Sequence, residues 1–256
     1  MNQGGKGYNY LCCAPETAFK IKEMTLQPDA VLKKDISLVK KRGVFYTADE
    51  GGCVKKKKPW LADCFCFLYD IIMERSVFPR KFGGNLRTHY SILSRELKHV
   101  HEERVLELAA GTGNAVNFLP NDNQYTGTDI SPGLLRRAAK KFRNASFEDA
   151  AFYVACAEDL PFAGSVFSVC LCMLSLNFFD DIGRVLQEAG RVLVPDGLFV
   201  CSVPVPERNK RGSTIRGVLY SEEELSEIFK KHGFSFSPIP SENGAVLYFL
   251  CRSQSV

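Results

Sequence analysis

The sequence predicts an α/β fold: a Rossmann-like, doubly wound, mostly parallel sheet of seven strands with helices on both faces. Three observations carry that reading. From about residue 100 onward, short apolar runs alternate with segments of helical periodicity, a pattern that buries a parallel sheet under helices on both sides. The first run, Arg104–Leu108, leads into a tight turn, Ala109-Ala-Gly111-Thr-Gly113. The next run, Tyr125-Thr-Gly-Thr-Asp129, ends in an acid 22 residues after Glu107.

Taken in order, residues 1–58 read as a basic N-terminal appendage with weak periodicity. Within it, Leu38-Val39 and Val44-Phe45-Tyr46 suit a small strand pair. Residues 59–256 read as the main domain, divided into a helical region, 59–100, and a core, 101–256. Pro59 opens a helix over Trp60–Phe78, in which Leu61, Phe65, Leu68, Tyr69, Ile72 and Met73 recur at helical spacing. A second helix covers about Leu86–Leu97. Core strands are predicted near 104–108, 124–128, 151–155, 166–173 and 198–203, with helices near 113–119, 131–142 and 181–192. Ser221 and Glu224 form a capping box that opens a helix running to about Lys231, with Gly233 at its end. Strands near 234–238 and 245–251 complete the seven.

Composition narrows the classes. A hydrophobic content of 45% supports a sizeable core. No apolar run reaches the roughly 18–20 residues of a membrane span, and Met1–Gly7 lacks the apolar centre of a signal peptide; a cytoplasmic protein is expected. Residues 1–60 carry 12 Lys/Arg against 6 Asp/Glu, so the net charge of +4 resides in that segment, which includes Lys55–Lys58. Such a run is a solvated linker or a contact for an anionic partner. Neither aromatic interleaving nor an RNA-binding signature accompanies it. The ten cysteines contain no Cys-x-x-Cys pair, so no metal is expected. Cys12, Cys13 and Cys53 are the alternative as remnants of a metal-binding appendage, and Cys170 and Cys172 read as core thiols.

The turn specifies a ligand class. Glycine lets backbone approach a ligand, and an acid about 20 residues on accepts from a ribose diol. A pyrophosphate-binding turn has three glycines, whereas this one has Gly111 and Gly113 with Ala109 before them. Glu107 at the strand end repels a pyrophosphate and suits a cationic amino-acid cofactor.

These residues resemble the class I S-adenosylmethionine (SAM) methyltransferases, especially the branch of quinone and small-molecule enzymes. The family's acid-x-Gly-x-Gly-x-Gly is matched by Glu107-Leu-Ala109-Ala-Gly111-Thr-Gly113, with alanine at the first glycine. Ala157-Glu-Asp-Leu-Pro-Phe162 resembles the loop after the third core strand, which flanks adenine. Val166–Leu176, ending in Leu174-Ser-Leu-Asn-Phe-Phe179, resembles the fourth strand, whose exit faces the reacting methyl. Glu188–Val200, with its Pro-Asp-Gly turn, resembles the helix and fifth strand. The resemblance covers about residues 100–205.

It implies SAM as cofactor and a residue set. Glu107 takes the amino-acid end, directly or through water. Ala109, Gly111 and Gly113 form the turn, and Asp129 accepts from the ribose hydroxyls. Ile130 and Leu160 sandwich the adenine, and Leu174 and Leu176 lie near the methionine chain. Many relatives have an aspartate where this chain has Cys156, so adenine recognition passes to backbone groups at Ala157 and Glu158 or to Asp159. Phe65 and Tyr69 are expected on a lid over the acceptor or in the core, with Asn177 and Phe178 at the reaction rim. No base is evident; His89 is the outside candidate. Residues 59–100 become a lid region and 101–256 the catalytic core. The expected activity is in-line methyl transfer to a small aromatic or amphipathic molecule. An RNA methyltransferase using the basic N-terminal segment and a SAM-binding scaffold without transferase activity are the alternatives.

Overall fold

The computed structural model describes residues 31–34, 36–48 and 68–254. Phe65, Cys12, Cys13, Cys53 and Lys55–Lys58 lie outside the described residues, as does the side chain of Tyr69.

Among the described residues the sheet has nine strands rather than seven, in the order β1-β2-β5-β4-β3-β6-β7-β9-β8. They are β1 (Ser37–Lys41), β2 (Val44–Ala48), β3 (Arg104–Leu108), β4 (Gln124–Asp129), β5 (Ala150–Val154), β6 (Phe167–Met173), β7 (Leu193–Pro204), β8 (Ser237–Ile239) and β9 (Val246–Arg252). The two additional strands are the expected N-terminal pair. They form a hairpin whose β2 lies parallel to β5, with Phe45 opposite Tyr153. Their rings stack at 5.0 Å, which ties the hairpin to the sheet edge. Strands β2 to β7 are mutually parallel, and β9 returns antiparallel against β7.

The chain winds outward from β3 through β4 to β5, then crosses back to β6 on the other side of β3. The carboxyl ends of β3 and β6 therefore flank a reversal of winding, where open α/β sheets leave a crevice. Alternation along the strands sends Leu106 and Leu108 into one core layer and Val105 into the other. The first layer holds Phe199, Phe229 and Phe249. The second holds Tyr125, Phe142 and Phe152.

The helices are α1 (Tyr69–Ile72), α2 (Leu86–Leu97), α3 (Pro132–Asn144), α4 (Ile182–Val192) and α5 (Glu222–Lys231). The helix expected to stop at Phe78 instead continues from α1 as a π-helical stretch over Met73–Phe82. Pro79 lies inside it; its ring has no N–H to offer an α-helical turn, and the wider turn accommodates it. Gly83, at φ 68°, closes the stretch. The helix expected near 113–119 is only a 3₁₀ turn, Asn114–Asn117. Ser221 and Glu224 form the reciprocal capping box at the start of α5. Cys170, Cys172, Cys201 and Cys251 are buried free thiols, and desolvation raises those of Cys170, Cys201 and Cys251.

Candidate functional site

The turn after β3 is held by backbone geometry. Ala109, at φ 52°, adopts the left-handed region without being glycine. Gly113 has φ 75°, and a Cβ there would lie 2.8 Å from the Cβ of Ala138 on α3. Glycine at 113 is thus required both by conformation and by helix contact. The Ala110 N–H donates to the Thr128 carbonyl at 2.8 Å, which stitches the turn to β4.

Asp129 stands at the end of β4, 8% exposed. Its Oδ2 accepts from the Gly111 N–H at 2.9 Å and its Oδ1 from the Ser131 N–H at 2.8 Å. The carboxylate joins the glycine turn to the start of α3. Ile130, the next residue, is 42% exposed although large and apolar.

Glu107 lies directly beneath this turn, buried on the α3 side of the sheet. The Tyr125 hydroxyl donates to its Oε2. Desolvation pushes Glu107 from 4.5 to about 8, against the Tyr125 hydrogen bond, with Asp129 raising it further and Lys141 lowering it. Tyr125 itself is driven well above the usual phenol range by burial and by Glu107. Nothing in the local pattern singles out Tyr125; only the register of β3 against β4 brings it to Glu107.

A third acid enters from outside the core. Asp70 on α1 accepts from the Thr112 hydroxyl at 2.5 Å and from Lys141 Nζ at 3.0 Å, and Lys141 also donates to Asn114 Oδ1 at 2.7 Å. Burial raises the Asp70 carboxyl, but the Thr112 and Lys141 bonds and the Lys141 charge outweigh it and hold it below its ordinary value. Helix α1 is therefore pinned to the glycine turn. Sequence reasoning missed Asp70, because its partners are 42 and 71 residues away.

At the exit of β6, Leu174 sits half-buried at φ 57°, its N–H donating to the Ser202 carbonyl at 2.7 Å. A non-glycine residue held there stores about 1–3 kcal/mol of strain. Asn177 is buried; its Nδ2 donates to the Arg216 carbonyl at 2.6 Å, and its own carbonyl accepts from the Val218 N–H at 2.8 Å. Gly217 must be glycine, since a Cβ would fall 2.1 Å from the Asn177 carbonyl oxygen. The loop after β7 is thereby clamped over the β6 exit, and it reaches the π-helical stretch through Arg211 Nη1, which donates to the Pro79 carbonyl at 2.7 Å. Phe178 and Val218 are each 56% exposed beside this clamp.

Three expected residues are placed differently. Leu160 and Leu176 are buried in the core layer with Val185 and Leu186, so neither side chain faces the surface that Ile130 presents. Their strand-end loops fold inward because the Leu160 N–H is held by Glu188 at 2.8 Å and Leu176 opens a 3₁₀ turn. His89 is no base. It is 3% exposed, its Nδ1 lies 2.9 Å from the Tyr248 hydroxyl, and desolvation pushes it down to about 3. Asn243 Nδ2 donates to that same hydroxyl at 2.7 Å. With that hydroxyl accepting from Asn243, its own proton has Nδ1 as an acceptor, and the desolvated ring is a neutral core group. In the loop after β5, Ala157 is buried, Cys156 and Glu158 are partly exposed, and the Cys156 thiol donates to Glu158 Oε2 at 2.5 Å. Asp159 is exposed and pairs with Lys33 at 3.3 Å.

Comparison with known proteins bears on this arrangement. A methyltransferase-domain family matches residues 106–201, which run from β3 into β7. The demethylmenaquinone methyltransferase of Thermotoga maritima is 31% identical over 174 residues, covering 67% of this chain and 70% of that protein. The chain belongs to the class I SAM-dependent methyltransferases. A second relative, the demethylmenaquinone methyltransferase of Chlorobaculum parvum, is 26% identical over 151 residues, and the match covers 57% of this chain and 61% of that protein. The fold is shared with the putative methyltransferase solved in complex with the Trm112 methyltransferase activator of Haloferax volcanii. That likeness has a TM-score of 0.61 at 18% identity and covers 78% of this chain and all of that one. Among the described residues, no helix is long and apolar enough to cross a membrane.

Proposed function

We propose that the protein transfers a methyl group from SAM to a small aromatic or amphipathic acceptor, of the quinone-like class that its relatives' names describe. The observation that carries this reading is the Asp129 carboxylate hydrogen-bonded to the Gly111 N–H at 2.9 Å. It sets a diol acceptor edge to edge with a turn that backbone can bring against a ligand. The residues fit the cofactor: at Gly111 a Cβ would meet nothing nearer than the Ala109 carbonyl oxygen at 3.9 Å, so the turn is open to a close ligand, and the Asp129 carboxylate stands beside it as an acceptor for a diol.

In this reading Ala109, Gly111 and Gly113 form the cofactor turn, and Ile130 covers one face of the adenine. Backbone groups at Ala157 and Glu158 meet the adenine edge, since the exposed Asp159 is engaged by Lys33. Leu174 borders the methionine chain. Glu107 senses the cofactor's cationic end from beneath the turn. SAM supplies an electrophilic methyl on a positively charged sulfur. The protein's part is to position the acceptor and exclude water, a contribution of roughly 7–11 kcal/mol. Phe178 and Val218, exposed at the β6 exit, supply apolar contact for the acceptor, and Phe65 and Tyr69 are assigned to its lid.

Calorimetry with SAM and with NAD, followed by a labelled-methyl assay on a demethylated quinone analogue, tests the proposal. SAM binding with label in the quinone is expected. Binding of NAD without SAM contradicts the cofactor, and label entering RNA or protein contradicts the acceptor.

A further inference from the structure

We propose that the face formed by α3 and the β1–β2 hairpin is a docking surface for the phosphodiester backbone of a nucleic acid. Helix α3 reads Pro-Gly-Leu-Leu-Arg-Arg-Ala-Ala-Lys-Lys-Phe-Arg-Asn, with five cations and no acid. The hairpin, residues 37–48, adds Lys40, Lys41 and Arg42, again with no acid. The two elements are in contact through β2.

The side chains can be assigned to a side. Lys41 stands opposite Val44 across the hairpin, and Val44 is buried in the same layer as Ala138 and Phe142 of α3. Cross-strand partners share a face, so Lys41 lies on the α3 side and Arg42 in the adjoining turn. Lys40 is on the other side, over the Phe45 ring at 4.9 Å. On α3, Lys141 is engaged by Asp70. Arg136, Lys140 and Arg143 follow one another at helical spacing along the solvent side, and Lys140 and Arg143 are exposed. Among the described residues none of these three, nor Lys41 or Arg42, forms an ion pair.

A solvated helix face ordinarily mixes both signs, because like charges four residues apart repel by about 0.2–0.5 kcal/mol per pair. Here Arg136 faces Lys140, and no acid on either element relieves that pair, whereas Lys141 is relieved by Asp70 of α1. A row of phosphates supplies what is missing: anionic acceptors spaced along a helix roughly 20 Å long.

The partner is a water-soluble polyanion rather than a lipid surface. Among the described residues the exposed large apolar side chains are Ile71, Ile72, Ile130, Phe178 and Val218, and none of these lies on α3 or the hairpin. An anionic membrane surface is held by basic residues together with inserted apolar ones, and this face offers only the first.

The test is fluorescence anisotropy with a labelled single-stranded RNA oligonucleotide across a salt series. Each neutralised phosphate contributes about −0.7 to the log–log slope on a single strand, so Lys41, Arg42, Arg136, Lys140 and Arg143 together predict a slope of about −3.5. The triple variant Arg136→Gln, Lys140→Gln, Arg143→Gln should flatten it by about 2. Glutamine keeps helix propensity and relieves the repulsion, so the melting temperature should hold or rise. The paired change Lys230→Gln, Lys231→Gln on α5 should leave the slope unchanged. Absence of salt-dependent RNA binding overturns the proposal. So does a triple variant that keeps the wild-type slope, or phosphatidylserine vesicles bound more tightly than RNA. The readout is binding alone, so failure of the methyl-transfer reading leaves it untouched, and the reverse holds.

Discussion

Asp70 and Thr112, 42 residues apart, share a hydrogen bond of 2.5 Å that fastens α1 to the glycine turn. Lys141 holds the other Asp70 oxygen at 3.0 Å. Asp70→Asn removes the charge and one acceptor direction. The site is partly exposed, so the loss is discounted to about 1 kcal/mol from the 1.5–3 kcal/mol of a buried charged hydrogen bond. SAM affinity should fall about fivefold, and the acceptor KM should rise while the melting temperature changes little. Unaltered affinity and KM would show that the latch has no part in binding.

Glu107 gives a pH-dependent prediction. Its folded value, about 8, lies above the unfolded 4.5, so folding favours the protonated form. Its contribution to stability is complete below pH 4.5 and is lost as pH rises towards 8. At pH 7 the ligand-free protein therefore carries a penalty of up to about 3 kcal/mol. Glu107→Gln keeps an acceptor for Tyr125, so it should raise the melting temperature at pH 7 and leave it unchanged near pH 4. A cationic cofactor favours the ionised carboxylate. Binding at pH 7 should thus release a proton from the wild type, read from calorimetry in buffers of different ionisation enthalpy, and release none through this group in the variant.

Asp129→Asn tests the diol. The amide keeps one acceptor oxygen but turns an N–H₂ towards either the Gly111 or the Ser131 N–H. Losing a charge-assisted bond worth about 1.5–3 kcal/mol should weaken SAM roughly 10–150-fold. Calorimetric affinity within twofold of the wild type would remove Asp129 from the ribose.

His89→Leu separates packing from catalysis. It leaves the buried Tyr248 proton without the Nδ1 acceptor it holds at 2.9 Å. An unsatisfied buried donor costs about 1–3 kcal/mol, which in a chain of this size lowers the melting temperature by a few degrees. Turnover per folded molecule should be unchanged. Abolished turnover in a folded variant would return His89 to the site.

The core was legible in the sequence because its signals are local. The run Arg104–Leu108, the turn to Gly113 and the acid Asp129 each follow from backbone needs within a few residues: extended pairing, positive φ at Gly111 and Gly113, and a strand end beside them. Capping at Ser221 is equally short-range. What the tertiary structure decided depends on distant pairs. Tyr125 reaches Glu107 only through strand register, Asp70 reaches Lys141 across 71 residues, and β2 finds β5 through Phe45 on Tyr153. Burial was decided there too. Leu160, Leu176 and His89 carry the residue types expected of a pocket, but each side chain faces inward, because the orientation of a loop or helix is set by what packs against it. Periodicity specifies which residues share a face. Only the assembled layers specify whether that face meets the core, the cofactor crevice or water.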